Sequence, residues 1–377
     1  MKRIGAVRLA VLLFFALFLI IAGVALIIHH NREFSEKENR VLRQTPELTF
    51  DSLTSGKFMT DAEDFVADQF FMRDGWISTK LFFDKILGKK ESNGVYLGKD
   101  NYLIEPTAEP DEKFDKNLAA IKNFSNAHSD LNVVTAMIPN AVYILEEKLP
   151  AGAPVVDQGE LISRIKETLG NGVKYVDTTD TLKEHSGEYI YYKSDHHWTS
   201  LGAEYAFKAI APSIGVTAEN AEYTIYPVAT DFSGTMASTS GADYVKDQVD
   251  IYVPLPDSEY VVEYVGENKK SATVYNSQAL ENSNKYEVFL GGNHPLISIK
   301  TTVQNKKNLL IIRDSYANCF AQFLTPHFSS IYMVDARYYS DDLERLITDN
   351  GITDILIMYN INTFVEDNNL AGMLLDE

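Results

Sequence analysis

Five short apolar runs constrain this chain more than any other feature: Asn132–Ile138, Val173–Asp177, Leu309–Ile312, Ser330–Asp335 and Asp354–Asn360. Each is rich in Val, Ile, Leu or Met and stops at a polar turn, which is the pattern of a strand buried on both faces. Helical patterns fall between them, at about Phe114–His128, Gln158–Leu169, through Leu201, Tyr205 and Ile210, and at Asp341–Asp349. Strands alternating with helices predict an α/β fold with a parallel sheet covered by helices on both faces. In such sheets ligands bind beyond the carboxyl ends of the strands, so the polar residues that close the runs are the first candidates for function.

One of those closing segments, and one loop before a helix, carry chemistry. Lys193-Ser194-Asp195-His196-His197-Trp198-Thr199 puts an acid, two imidazoles and an indole just before a helix start. Arg313-Asp314-Ser315-Tyr316 puts a serine at the end of a strand. A serine hydroxyl is a poor nucleophile until a base takes its proton, and an Asp two residues from a His can orient that base. Ser, His and Asp from separated segments form a triad whatever their order in the chain, so serine acyl-transfer chemistry is the working hypothesis. The plain alternatives are a solvated loop or part of a metal site for Asp195, His196 and His197, and a helix cap for Ser315. No HExxH or other dense ligand spacing appears, so no metal is expected, and nothing in the sequence asks for a cofactor. Trp198 reads equally as a sugar platform or a core indole. The turn Gly291-Gly292-Asn293-His294 offers polar donors, although turn chemistry alone explains it. His185 reads as part of a solvated loop and Cys319 as a core thiol.

At the amino terminus Lys2, Arg3 and Arg8 precede Leu9–Ile28, which carries no charge. Twenty residues at ~1.5 Å each span about 30 Å, the hydrocarbon thickness of a bilayer. No small-residue cleavage site follows, so the reading is an uncleaved signal anchor: 1–8 cytoplasmic, 9–28 transmembrane, and the body outside the cell by the positive-inside rule. The chain has 53 Asp and Glu against 34 Lys and Arg, a formal net charge of −19, which excludes nucleic acid as a partner. One cysteine rules out an intramolecular disulfide. Residues 29–92 read as a membrane-proximal helical arm, 93–377 as the catalytic body with a hairpin at its start, and about 213–304 as a β-rich insertion that breaks the α/β rhythm.

Asp195-His196-His197-Trp198, Glu38-Asn39-Arg40 and Arg313-Asp314-Ser315-Tyr316 together resemble the DHHW proteins, relatives of the alginate O-acetylation proteins AlgJ and AlgX with an SGNH-hydrolase-like domain. The resemblance covers nearly the whole exported chain. It implies Ser315 as nucleophile, His197 as base, Asp195 as orienting acid, and an oxyanion hole formed by the Ser315 N–H and the Asn360 amide. Ordinary SGNH hydrolases carry the serine early and the histidine block late, so the order here is that of a circular permutation. Arg313 stands where many of those enzymes have Gly, and the Asp–His spacing is shorter by one. Within the loop, adjacent residues of an extended segment face opposite sides, so the two-residue spacing selects His197 over His196. Around the triad, Trp198, His196, Arg313, Tyr316, Asn293 and His294 are the candidates for substrate or supporting contacts.

The implied activity is that of a membrane-anchored extracytoplasmic O-acetyltransferase acting on a cell-surface or secreted polysaccharide through an acetyl-serine intermediate. A membrane-bound O-acyltransferase partner would supply the acetyl group. A carbohydrate acetyl esterase would use the same triad. A non-catalytic polysaccharide-binding or assembly protein is the reading from another class, and it gives no reason to keep Asp195, His197, Ser315 and Asn360 together.

Overall fold

The structure is a computed structural model that describes residues 2–28, 30–35, 40–218, 221–256 and 259–375. It divides into two units, Met1–Gly88 and Lys89–Glu377. In the first, Lys2–Ile28 is one helix, and its Val7–Leu26 segment has a mean hydropathy of 3.1 with none of it buried. The helices Phe50–Thr54, Lys57–Gln69 and Arg73–Ile86 follow, the first closed by reciprocal bonds between Thr49 and Ser52. Of the Glu38-Asn39-Arg40 motif, Glu38 and Asn39 lie outside the described residues.

The second unit is built on one sheet of eight strands. In chain order the strands that matter are β1 (Asn132–Ile138), β2 (Lys174–Asp177), β3 (Glu222–Phe232), β4 (Asp247–Leu255), β5 (Tyr260–Tyr264), β6 (Lys269–Ser271), β7 (Leu296–Thr301), β8 (Asn308–Arg313), β9 (Ser330–Asp335) and β10 (Asp354–Asn360). The sheet runs β6-β5-β7-β9-β8-β10-β1-β2. The five strands from β9 to β2 are parallel, as their apolar composition predicts. Because strand side chains alternate, each parallel strand feeds two cores. Val134, Ala136, Leu309, Ile311, Ile331, Met333, Leu356 and Met358 pack on one face with the helix Ser200–Ile210. Val133, Met137, Leu310, Ile312, Val334, Ile355 and Ile357 pack on the other with the helices Glu112–Ala127, Gln158–Leu169 and Leu343–Asp349.

The β-rich stretch divides in two. β3 and β4 pair with each other as a separate antiparallel hairpin. β5, β6 and β7 instead extend the central sheet, joined to β9 by antiparallel pairing of β7. Half of what reads as an insertion is therefore sheet. Order along the chain reverses at the centre: from β8 the path goes out to β9 and returns to β10 on the other flank. This switch point places the residues after β8 and β10 at one crevice.

Ile331 is fully buried near the amino-terminal edge of β9, far along the strand from that crevice. Ile331→Ala should cost about 2–5 kcal/mol of stability in chemical denaturation while leaving turnover per folded molecule unchanged.

Candidate active site

The loop that carries the acid and the imidazoles is a tight hairpin tip. Tyr191 and Trp198 pair across it, Tyr192 N–H donates to His197 O at 3.2 Å, and Thr199 N–H donates to Ile190 O at 2.9 Å. Thr199 then caps the helix that starts at Ser200, with its side chain accepting from Gly202 N–H. Asp247 of β4 locks the tip, accepting from Lys193 N–H at 2.9 Å, Ser194 N–H at 2.7 Å and Ser194 Oγ at 2.5 Å.

Ser315 enters from the end of β8 and meets this tip. His197 Nδ1 lies 2.5 Å from Asp195 Oδ1, and His197 Nε2 lies 2.8 Å from Ser315 Oγ. Asp195 Oδ1 also accepts the His197 backbone N–H at 3.0 Å. Asp195 Oδ2 accepts Thr235 N–H at 2.9 Å and Thr235 Oγ1–H at 3.1 Å. With Nδ1–H directed at the carboxylate, Nε2 is left to accept the serine proton, an assignment made from the bonding network. The phenol ring of Tyr286 stacks on His197 at 3.8 Å and 14°, and its hydroxyl donates to Ser315 O at 3.1 Å.

Burial opposes ionisation of Asp195, but the charges of His196 and His197, with the His197 and Thr235 hydrogen bonds, hold its carboxyl well below the usual range. His197 is pushed down to about 4, first by burial and then by His196, against the upward pull of Asp195. The resting site at neutral pH is a carboxylate beside a neutral imidazole, the state a general base needs.

The two imidazoles do not face opposite sides. Their ring centroids are 3.9 Å apart, because the tip is a turn rather than an extended segment. His196 Nδ1 lies 2.8 Å from Thr235 Oγ1 and 3.8 Å from Asp195 Oδ1. Only His197 reaches Ser315. Asp195, His196 and His197 offer ligand atoms within 4.8 Å of one another, yet His197 Nδ1–H and Asp195 Oδ1 are turned to each other as donor and acceptor.

The other candidates are held by packing, hydrogen bonds and ion pairs. Trp198 is fully buried, with its indole N–H donating to Tyr316 O at 3.1 Å, so it anchors the loop and cannot stack a sugar. Tyr316 is also buried, its hydroxyl donating to His196 O at 2.6 Å. Arg313 is buried and reaches Asn293 Oδ1 at 2.9 Å and Asp335 at 3.4 Å, while Arg337 holds Asp335 through two side-chain bonds. His294 pairs with Glu267 at 2.6 Å, and His185 with Glu188 at 2.7 Å. Cys319 is a core thiol, pushed up to about 12 by burial.

Asn360 requires a correction. Its Nδ2 donates to Asp314 Oδ2 at 2.6 Å and to Thr363 Oγ1 at 2.8 Å, and its Oδ1 caps the next helix at Thr363 N–H. Both amide hydrogens are thus spent inside the protein rather than on an oxyanion. Its role here is to hold Asp314, which also accepts Asn360 N–H at 2.7 Å and Tyr316 N–H at 2.9 Å. Burial pushes Asp314 up to about 6 against these donors. Asn140, just past β1, completes the floor by donating to Asn360 Oδ1 at 3.0 Å and Tyr316 Oη at 3.1 Å.

With the Asp195-His196-His197-Trp198 tip in place, the comparison with known families is decisive: the DHHW protein family matches over residues 111–334. The chain belongs to the DHHW family. Its fold is similar to that of a DHHW family protein from Eubacterium siraeum, with 27% identity, a TM-score of 0.66, and coverage of 76% of this chain and 96% of that one. PatB1 of Bacillus cereus, solved with a sulfonyl adduct, aligns at 21% identity and a TM-score of 0.62 over 74% of this chain and 99% of its own. The O-acetyltransferase domain of Pseudomonas putida AlgJ aligns at 14% identity and a TM-score of 0.48 over 75% of this chain and 100% of its own. No curated protein matches the sequence. The DHHW chain is thus an α/β protein whose serine strand follows its histidine loop.

Gly234 is the point at which the DHHW tip tolerates no side chain. A Cβ there would fall 2.3 Å from both Asp195 Cβ and Asp195 Oδ2. Gly234→Ala should displace the carboxylate and cost on the order of 10²-fold in kcat, because displacements near 1 Å at a site cost about that much. Stopped-flow ester assays on the folded variant check this. In the wild type, kcat/KM should hold level as pH falls through 6.5 and drop only toward about 4, where His197 gains a proton and can no longer accept one. His197→Ala should lose roughly 10⁴-fold and His196→Ala far less.

Proposed function

We propose that this protein is a serine-dependent O-acyltransferase that moves an acetyl group onto a hydroxyl of a cell-surface or secreted polysaccharide. One observation carries the reading: the unbroken chain Asp195 Oδ1, His197 Nδ1, His197 Nε2, Ser315 Oγ, with links of 2.5 and 2.8 Å at the carboxyl edge of a parallel sheet.

The mechanism follows from these atoms. His197 Nε2 takes the Ser315 Oγ proton as Oγ attacks the acetyl carbonyl, and the imidazolium that forms is stabilised by the Asp195 carboxylate. The carbonyl oxygen becomes an oxyanion, for which the Ser315 N–H is a donor. The tetrahedral species collapses as the bond to the donor breaks, and His197 returns its proton to the leaving oxygen. In the second half, His197 takes a proton from the acceptor hydroxyl, whose oxygen attacks acetyl-Ser315. Breaking the Ser315 ester then restores the serine with the proton from His197. Water in place of the sugar would make the same site an esterase.

The helix Lys2–Ile28, with Lys2, Arg3 and Arg8 before its apolar span, serves in this reading as a single-pass anchor that keeps the body outside the cell. A membrane-bound O-acyltransferase is the partner proposed to deliver acetyl groups, since the acceptor polymer lies on the same side as the site.

The test is incubation with a chromogenic acetyl ester, with and without oligosaccharide acceptors, followed by mass analysis of protein and sugar. The wild type should transfer acetyl to an oligosaccharide and keep its activity in a chelator, and folded Ser315→Ala should be inactive. Near-wild-type turnover by Ser315→Ala removes the serine from the chemistry. Release of acetate alone with every acceptor makes the protein an esterase.

A further inference from the structure

We infer that the Asn293 carboxamide is the side-chain donor of the oxyanion hole, the place that the family resemblance gives to Asn360; the inference rests on Ser315 being the nucleophile. A tetrahedral oxyanion in a water-poor site needs more than one preorganised N–H. Asn360 has none to give, since its Nδ2 is committed to Asp314 Oδ2 and Thr363 Oγ1.

Asn293 is held by two residues that flank Ser315 in the chain. Its Oδ1 accepts Arg313 Nη1–H at 2.9 Å and Asn318 Nδ2–H at 3.0 Å. Arg313 stands two residues before Ser315, and Asn318 follows within the same turn, its N–H donating to Ser315 O at 3.1 Å. Two donors fill the lone pairs of Oδ1 and fix the plane of the carboxamide. That leaves Nδ2, which has no acceptor among the described residues. The two clamping side chains are buried while Asn293 is only half-buried, so the amide sits where the rigid interior meets the open edge. A charged donor on its oxygen also polarises the amide and strengthens Nδ2–H as a donor.

The segment that delivers Asn293 is shaped for close approach. Leu290, Gly291 and Gly292 all take left-handed backbone angles, with φ of 60°, 75° and 102°. A leucine there is strained, and such strain is characteristic of functional turns. The same segment carries Tyr286, which already contacts both His197 and Ser315 O. One segment thus supplies a ring against His197 and an amide clamped by the two side chains that flank Ser315 in the chain. As Ser315 Oγ attacks and its proton passes to His197 Nε2, the charge growing on the carbonyl oxygen is met by Ser315 N–H and Asn293 Nδ2–H.

Asn293→Asp separates this role from a structural one. It keeps an acceptor oxygen for Arg313 and Asn318 and replaces the donor with a charged carboxylate oxygen, so Asn293→Ala, which removes the donor without adding a charge, is assayed beside it. On a chromogenic acetyl ester both should lose ~10²–10³-fold in kcat with KM nearly unchanged, and Asn293→Asp should keep its unfolding midpoint. Ser315→Ala is assayed in parallel. An inactive Ser315→Ala beside an Asn293→Asp of near-wild-type kcat overturns the inference and leaves the triad standing. An active Ser315→Ala overturns both. Should Asn293→Asp fail to fold, Asn293→Ala is read by the same criteria.

Discussion

Asp195 is 4% exposed, and an ionised carboxylate survives such burial only when donors surround it. It has four: His197 Nδ1–H and N–H on one oxygen, Thr235 N–H and Oγ1–H on the other. These bonds do more than stabilise a charge. They join the loop Lys193–His197 to the turn after β3, fix the tautomer of His197 and aim Nε2 at Ser315. Gly234 must be a glycine because the turn backbone approaches the carboxylate so closely. Removing the carboxylate would leave a buried imidazole with no partner at Nδ1, so geometry and basicity would be lost together.

A second buried carboxylate does the same for the other half of the site. Asp314 ties the end of β8 to the end of β10 through Asn360 N–H and Nδ2–H, and fixes the turn that carries Ser315 through Tyr316 N–H. Beneath it, Asn140, Gln158, Asn362 and Thr107 form a continuous polar network that reaches from β1 to the helix after β10. Buried networks of this kind are worth their desolvation only when nearly every group is satisfied, and they then hold a single arrangement. The serine therefore sits on a rigid platform, while its partners come from a loop and a hairpin.

Much of this was legible in the sequence, and the reasons differ by element. β1, β9 and β10 were read with their observed limits because a buried parallel strand is a bare apolar run between polar turns. Asp195, His197 and Ser315 were singled out by residue type, an acid two residues from an imidazole and a serine at the end of an apolar run, and the structure brings the three together. Thr235, Tyr286 and Asp247 were not, since they come from the β-rich stretch, where no periodicity marks a side chain that turns toward a distant loop. Asn360 was found for its place and misread for its role, because sequence shows a strand end but not which way an amide is spent. Trp198 was ambiguous for the same reason: an indole next to a catalytic loop can face sugar or core, and only packing against Tyr316 and Phe320 decides it.

The central claim is that Ser315 becomes covalently acylated with His197 as its base. Rapid acid quench during turnover of an acetyl ester, followed by intact mass and peptide mapping, tests it most directly. The account predicts one added acetyl group, located on Ser315 and absent from His197→Ala on the same timescale. Turnover with no acetylated protein at any time, or with the acetyl group on another residue, would contradict it.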